Sequence, residues 1–86
     1  MNKQAQKITG EEPFYVSKSY FMIDTCADAY TLQVSVDYDE EDPSAASWAD
    51  YSDEIPASSG PHEVGPVAKN LWWMLKDNTS EILIRY

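Results

Sequence analysis

Carboxylates are the most numerous of the groups in this chain that could do chemistry. Eight of them fall within residues 37–54: Asp37, Asp39, Glu40, Glu41, Asp42, Asp50, Asp53 and Glu54. Oxygen ligands in such number are what hard cations such as Ca²⁺ and Mg²⁺ select. The run over residues 37–42 opens like an EF-hand loop, which requires Gly at its sixth position and a bidentate Glu at its twelfth. Counted from Asp37, those positions hold Asp42 and Trp48, so the motif fails. A looser divalent-cation-binding module stays open as an alternative. His62 is the only histidine and Cys26 the only cysteine, which is too few ligands for a zinc site. A nucleophile–base pair built on either would need a third group to orient the ring, and nothing in the spacing supplies one. His62, in a stretch rich in Pro and Gly, reads as an exposed loop residue. The glycines at 10, 60 and 65 match no phosphate-cradling motif. Carboxylate pairs of the glycosidase type need a cleft, and so small a chain leaves little room for one. The expectation is a protein that is not an enzyme and uses no cofactor.

The layout of charge says more. Between Lys18 and Lys69 there is no lysine or arginine, yet that span holds eleven of the fifteen acidic residues, and the formal net charge is −9. Small domains ordinarily interleave both signs on their surfaces. A segregated acidic field repels phosphates, so direct binding to nucleic acid or to an anionic membrane is not expected. The same field attracts basic protein surfaces. Crowded like charges weaken a fold slightly, and a cationic partner would relieve that repulsion. Acidic runs also keep small proteins soluble, but the complete absence of basic residues from this span favours partner binding. Tyr38 and Tyr51, interleaved with the acids, offer flat faces to arginine.

These residues need a scaffold. Eighty-six residues make one small domain, and 43% hydrophobic content with three Trp, six Tyr and two Phe is enough for a core. Residues 1–12 are polar and aperiodic and read as a flexible tail, leaving 13–86 as a single domain. Residues 14–23 are aromatic and β-branched, with Ser17, Lys18 and Ser19 forming a bulge or a break. Residues 30–39 alternate, with Leu32, Val34, Val36 and Tyr38 on one face, as in a half-buried antiparallel strand. Residues 14–39 thus read as a hairpin, and Asp37 and Asp39 would sit on one side about 6.6 Å apart, at ~3.3 Å per residue.

Asp42 before Pro43 signals the start of a helix reaching about Glu54, with Asp50, Asp53 and Glu54 on its free side. Residues 55–65 read as a loop. A second helix over residues 66–78 would bury Val67, Leu71, Met74 and Leu75, with Trp72 in the core and Asn78 as its C-terminal cap. Trp73 then falls off the core stripe between Lys69 and Lys76, and an exposed Trp is a favoured interface anchor. Residues 81–86 close the chain as a strand. The expected fold is α+β, a small antiparallel sheet with two helices in the order ββααβ. The expected partner-binding residues are the eight carboxylates and Trp73.

The first thirteen residues, MNKQAQKITGEEP, lack the apolar core of a signal peptide, and no apolar run nears the roughly 20 residues of a membrane span. One cysteine allows no internal disulfide, so a cytoplasmic location is expected. A short, strongly acidic chain of this kind resembles the small inhibitor proteins that phages and mobile elements make, anti-CRISPR proteins and other DNA mimics among them. The resemblance covers composition and charge layout over about residues 24–63 and involves no shared motif. It implies a protein that occupies the basic groove of a nucleic-acid-binding protein or complex, in the host cytoplasm if phage-encoded. Lys69 and Lys76 depart from a mimic acidic on every face. The residues also allow an accessory or homo-oligomeric subunit that assembles through Trp73 and the edge of the C-terminal strand.

Overall fold

In the computed structural model, which describes residues 5–86, strands dominate. They are β1 Ala5–Thr9, β2 Phe14–Val16, β3 Phe21–Ile23, β4 Thr31–Ser35, β5 Ala49–Asp50, β6 His62–Val64, β7 Leu71–Lys76 and β8 Glu81–Arg85. Two four-stranded sheets result, in the orders β1-β8-β3-β6 and β2-β7-β4-β5, with every neighbouring pair antiparallel. Six of the seven connections carry the chain from one sheet to the other, and only β4 to β5 stays within one. The sheets pack face to face. Phe14 on β2 meets Phe21 on β3 edge-on at 5.9 Å between ring centroids, and Phe21 meets Trp73 on β7 at 4.9 Å. Ile8, Ile23, Val64, Ile82 and Ile84 from one sheet and Val16, Leu32 and Leu75 from the other complete the core.

This sandwich replaces the expected α+β fold. A single 3₁₀ turn, Pro43–Ala45, is the only helical piece among the described residues. The supposed second helix is β7. Its apolar residues fit a 3.6-residue period, but Leu71, Trp73 and Leu75 also fit a period of two. The chain uses that period, with Trp72, Met74 and Lys76 on the outward side. Asn70 and Asp77 flank it at φ 63° and 73°, left-handed positions that a right-handed helix does not contain. Pairing with β2 on one side and β4 on the other then outweighs local helix propensity.

The supposed first helix ends after one turn. Asp42 precedes it with Pro43 at the first position, but its side chain makes no cap bond, and Ala46 is extended at φ −69°, ψ 142°. Beyond it the Ser47 N–H is claimed by Asp37, and Ala49 and Asp50 pair with β4.

The expected hairpin over residues 14–39 does not form either. The Ser17–Ser19 segment is the break at which the chain leaves one sheet for the other, and β4 pairs with β7 and β5 rather than with β3. Part of the expected polar tail is also structured. Residues 5–9 pair with β8 and bury Ile8 opposite Ile82; residues 1–4 of that tail lie outside the described residues. The expected loop over 55–65 contains β6, three residues between Pro61 and Gly65 that are too short to show a period.

Asn78 caps no helix but fastens the β7–β8 turn from within. Its Nδ2 donates to the Gly10 and Ser80 carbonyls at 2.9 Å each, and its Oδ1 accepts from the Ser80 N–H and the Cys26 thiol at 3.1 Å each. From outside, Asp28 accepts from the Thr79 hydroxyl (2.7 Å), the Thr79 N–H (2.8 Å) and the Ser80 hydroxyl (3.0 Å). These bonds, the Thr79 hydroxyl foremost, hold the Asp28 carboxyl below its ordinary range.

Candidate functional site

β5 is the outermost strand of its sheet, paired with β4 through Gln33↔Asp50 and Val34↔Ala49. Residues 36–48 join the two strands at one end. At the other, the Tyr51 N–H donates to the Leu32 carbonyl at 2.8 Å, and Tyr30 and Ile55 exchange backbone bonds of 2.7 and 3.1 Å. All eight carboxylates lie on this run of chain, and all are exposed. Asp39, Glu40, Glu41 and Asp42 occupy the Ser35 end of β4, Asp50 the middle, and Asp53 and Glu54 the Thr31 end. The four residue steps along β4, at ~3.3 Å each, separate the extremes by about 13 Å or more. The result is one acidic strip along one edge, not a row on a strand and a second row on a helix.

Within the strip the carboxylates do different work. β4 stops at Ser35, and Val36, expected on its buried face, is 86% exposed. Asp37 therefore does not sit on a pleat beside Asp39, and the expected 6.6 Å spacing does not apply. Its Oδ1 instead accepts from the Ser35 hydroxyl at 2.7 Å and from the Ser47 N–H at 2.9 Å, clasping the two ends of the connection. The Ser47 N–H first, then the Ser35 hydroxyl, hold its carboxyl below the ordinary range. Asp39 accepts from the Glu41 N–H at 2.9 Å, Asp42 from the Ser44 hydroxyl at 3.3 Å, and Asp50 from the Gln33 amide at 2.7 Å. The side chains of Glu40, Glu41, Asp53 and Glu54 take no hydrogen bond among the described residues, and none of the eight acids is in an ion pair there. Asp50, Asp53 and Glu54 line a shallow depression with Thr31, Tyr51 and Ser52. Among the described residues no three His, Cys, Asp or Glu side chains are placed to hold a metal ion.

Trp73 leaves the candidate site. It is 1% exposed, with its ring between Phe21 and Tyr51, the latter edge-on at 5.2 Å, and its buried Nε1 has no hydrogen-bond partner among the described residues. Reading the segment with a period of two instead of 3.6 exchanges the two tryptophans: Trp73 is core and Trp72 faces outward. Trp72 then anchors a row of rings that sequence reasoning missed. Tyr15 stacks on it at 5.4 Å, Tyr38 at 4.6 Å, and Trp48 on Tyr38 at 5.7 Å. The row crosses the outer face of the sheet and reaches the acidic connection. The alternation of Leu71, Trp73 and Leu75 is the signal that could have found it.

The C-terminal strand is no free edge, since β8 lies between β1 and β3. Cys26 is buried against Asn78, and His62 is half-buried in β6. No helix among the described residues is long and apolar enough to cross a membrane. Comparisons with protein-family models, curated proteins and solved structures give no match to this chain.

Proposed function

We propose that this chain is a non-enzymatic binding protein whose acidic edge engages a basic surface of a partner protein, one that otherwise binds nucleic acid. The observation that carries this reading is the strip itself. Eight exposed carboxylates run along one sheet edge with no lysine or arginine in the same span of chain, and four of them make no side-chain hydrogen bond or ion pair among the described residues. The strip is also held in place, by the β4–β5 pairing in its middle and the Asp37 clasp at one end. Fixed charges of one sign accelerate encounter with an oppositely charged surface and make affinity fall with salt. Where that surface is a nucleic-acid groove, occupation amounts to inhibition, and the cytoplasm is where such a partner would be met.

The test uses the protein as bait in a nuclease-treated lysate, at low salt and again near 1 M, where the Debye length shrinks from about 10 Å to about 3 Å. The reading expects basic nucleic-acid-binding proteins to be retained at low salt, released at high salt and competed off by added DNA or RNA. They should also be lost when Asp50, Asp53 and Glu54 are changed to Lys. An unchanged set of retained proteins after that charge reversal would sink the proposal.

A further inference from the structure

Apart from the acidic strip, the outer face of the β1-β8-β3-β6 sheet carries a cleft of about 730 Å³, within the roughly 300–1,000 Å³ range of small-molecule sites. We propose that this cleft binds a small organic anion with an apolar body. Its floor is Met22 on β3, which points outward between Glu63 on β6 and Arg85 on β8. Lys18 and Tyr20, on the connection from β2 to β3, form one wall with Lys69, and Tyr86 closes it beyond Arg85.

Two features build this cleft. The Val67 N–H donates to the Ser19 carbonyl at 2.9 Å, which draws residues 65–69 against residues 17–20 and sets Lys69 on the same cleft as Lys18. The Tyr20 ring lies against Gly65, where a Cβ would collide with ring atom Cδ1 and come within 2.7 Å of the Ser19 carbonyl oxygen. Gly65 also stands at φ +143°, a conformation that other residues resist.

The charge in the cleft runs against the charge of the chain. The described residues contain five cations, Lys7, Lys18, Lys69, Lys76 and Arg85, and three of them line this cleft, against one acidic side chain in the lining, Glu63, and Asp24 paired with Arg85. Lys18 and Lys69 have no ion pair among the described residues. Arg85 directs its Nε and one terminal nitrogen to Asp24 at 3.2–3.4 Å and keeps further N–H donors. A carboxylate, sulfonate or phosphate fits between two ammonium groups and a guanidinium, while Met22, Tyr20 and Tyr86 cover an aromatic or aliphatic body. The size of the anion is restricted by the rest of the molecule. A chain of formal charge −9 repels a long polyanion along its whole length, whereas a single small anion meets only the cleft and the cations that line it. The site is independent of the acidic edge and does not rest on its function.

The probe for this site is 2-naphthalenesulfonate, titrated into the labelled protein and followed by amide chemical shifts. Binding should saturate, with shifts centred on residues 17–22, Lys69 and Arg85. Lys18→Glu or Lys69→Glu should each weaken it by about five- to tenfold, while Lys76→Glu, the same change in net charge outside the cleft, should leave it within about twofold. All three lysines are exposed, so the variants keep the fold, and thermal melts verify it. Inorganic phosphate alone and neutral 2-naphthol should both bind more weakly than the sulfonate. The proposal is overturned by binding that does not saturate, by shifts centred elsewhere, by an equal loss in Lys76→Glu, or by either half-probe binding as tightly.

Discussion

Asn78 sits in the β7–β8 turn at 2% exposure with all four of its side-chain hydrogen bonds made inside the protein. Alanine at this position removes every one. The Ser80 carbonyl would keep a second donor, the Gly10 N–H at 3.0 Å, and the Cys26 thiol is a weak donor whose loss costs little. The Gly10 carbonyl and the Ser80 N–H would be left without protein partners, at about 1–3 kcal/mol each. Both residues are half-buried, which lets water recover part of the loss and brings the sum to about 3 kcal/mol. A chain of this length has roughly 4–13 kcal/mol of stability in all, so this is a large share of it. At about 4–8 °C per kcal/mol, Tm should fall by about 12–24 °C.

Thermal and urea unfolding, followed by tryptophan fluorescence, measure this directly. Asn78→Asp sharpens the test, because it keeps the acceptor facing Cys26 and Ser80 but places an oxygen against the Gly10 and Ser80 carbonyls. It should be at least as damaging as alanine at neutral pH and should recover at acid pH, where the protonated carboxyl donates again. A loss below about 1 kcal/mol for alanine, or an Asn78→Asp protein as stable as the parent at pH 7, would refute the reasoning.

Three other outcomes follow from the same contacts. Asp37→Asn should loosen residues 36–48 and weaken the near-UV circular dichroism of the Tyr38–Trp48 pair. Because the Asp37 pKa is depressed in the fold, its stabilisation is complete above the ordinary value of 3.8 and lost as pH falls through the lower folded value, so only the parent should show that acid transition. Burial pushes the Tyr30 hydroxyl up to about 12, so the neutral form is favoured in the fold. The stability this confers is full below the ordinary value of 10 and is lost as pH rises towards 12; Tyr30→Phe should abolish that step in an absorbance-monitored alkaline titration. Trp73→Ala should cost about 3–5 kcal/mol and leave little folded protein, whereas Trp72→Ala should fold, cost less and release Tyr38. The reverse order in urea melts would return Trp73 to the surface.

What was legible in the sequence is what depends on local pattern. The aromatic and β-branched residues of β2 and β3, the alternation through β4 and the EILIR run of β8 all form strands, with the Ser17–Ser19 break between the first two. The acidic span was legible as composition, but its shape was not. Whether Asp37 lines a surface or clasps a connection depends on Ser47, ten residues away, and on a β4–β5 pairing that no local pattern announces. Residues 66–78 were misread because Leu71, Met74 and Leu75 satisfy a helical period while Leu71, Trp73 and Leu75 satisfy a strand. Only the partners on either side, Phe14 and Val34 opposite Trp73, decide between them. Asn78 was placed at a chain reversal for a sound reason, but its buried role depends on Gly10 and Cys26, which are distant in sequence.

The positions of β7 and β8 have a consequence for how the molecule comes into being. β8 lies between β1 and β3, and β7 between β2 and β4, so without residues 71–85 the other six strands retain only the β3–β6 and β4–β5 pairs. During synthesis, which proceeds from the N-terminus, neither sheet can close until this last stretch emerges. In the meantime the aromatic residues of β2 have no partner strand, and those of β3 have only β6. The acidic span leaves the ribosome after those strands and before their partners. Throughout that interval it supplies like-charge repulsion beside the exposed aromatics, the gatekeeping that keeps such segments from associating. The carboxylates that line an edge in the finished protein thus first serve as its protection while it is still unfolded.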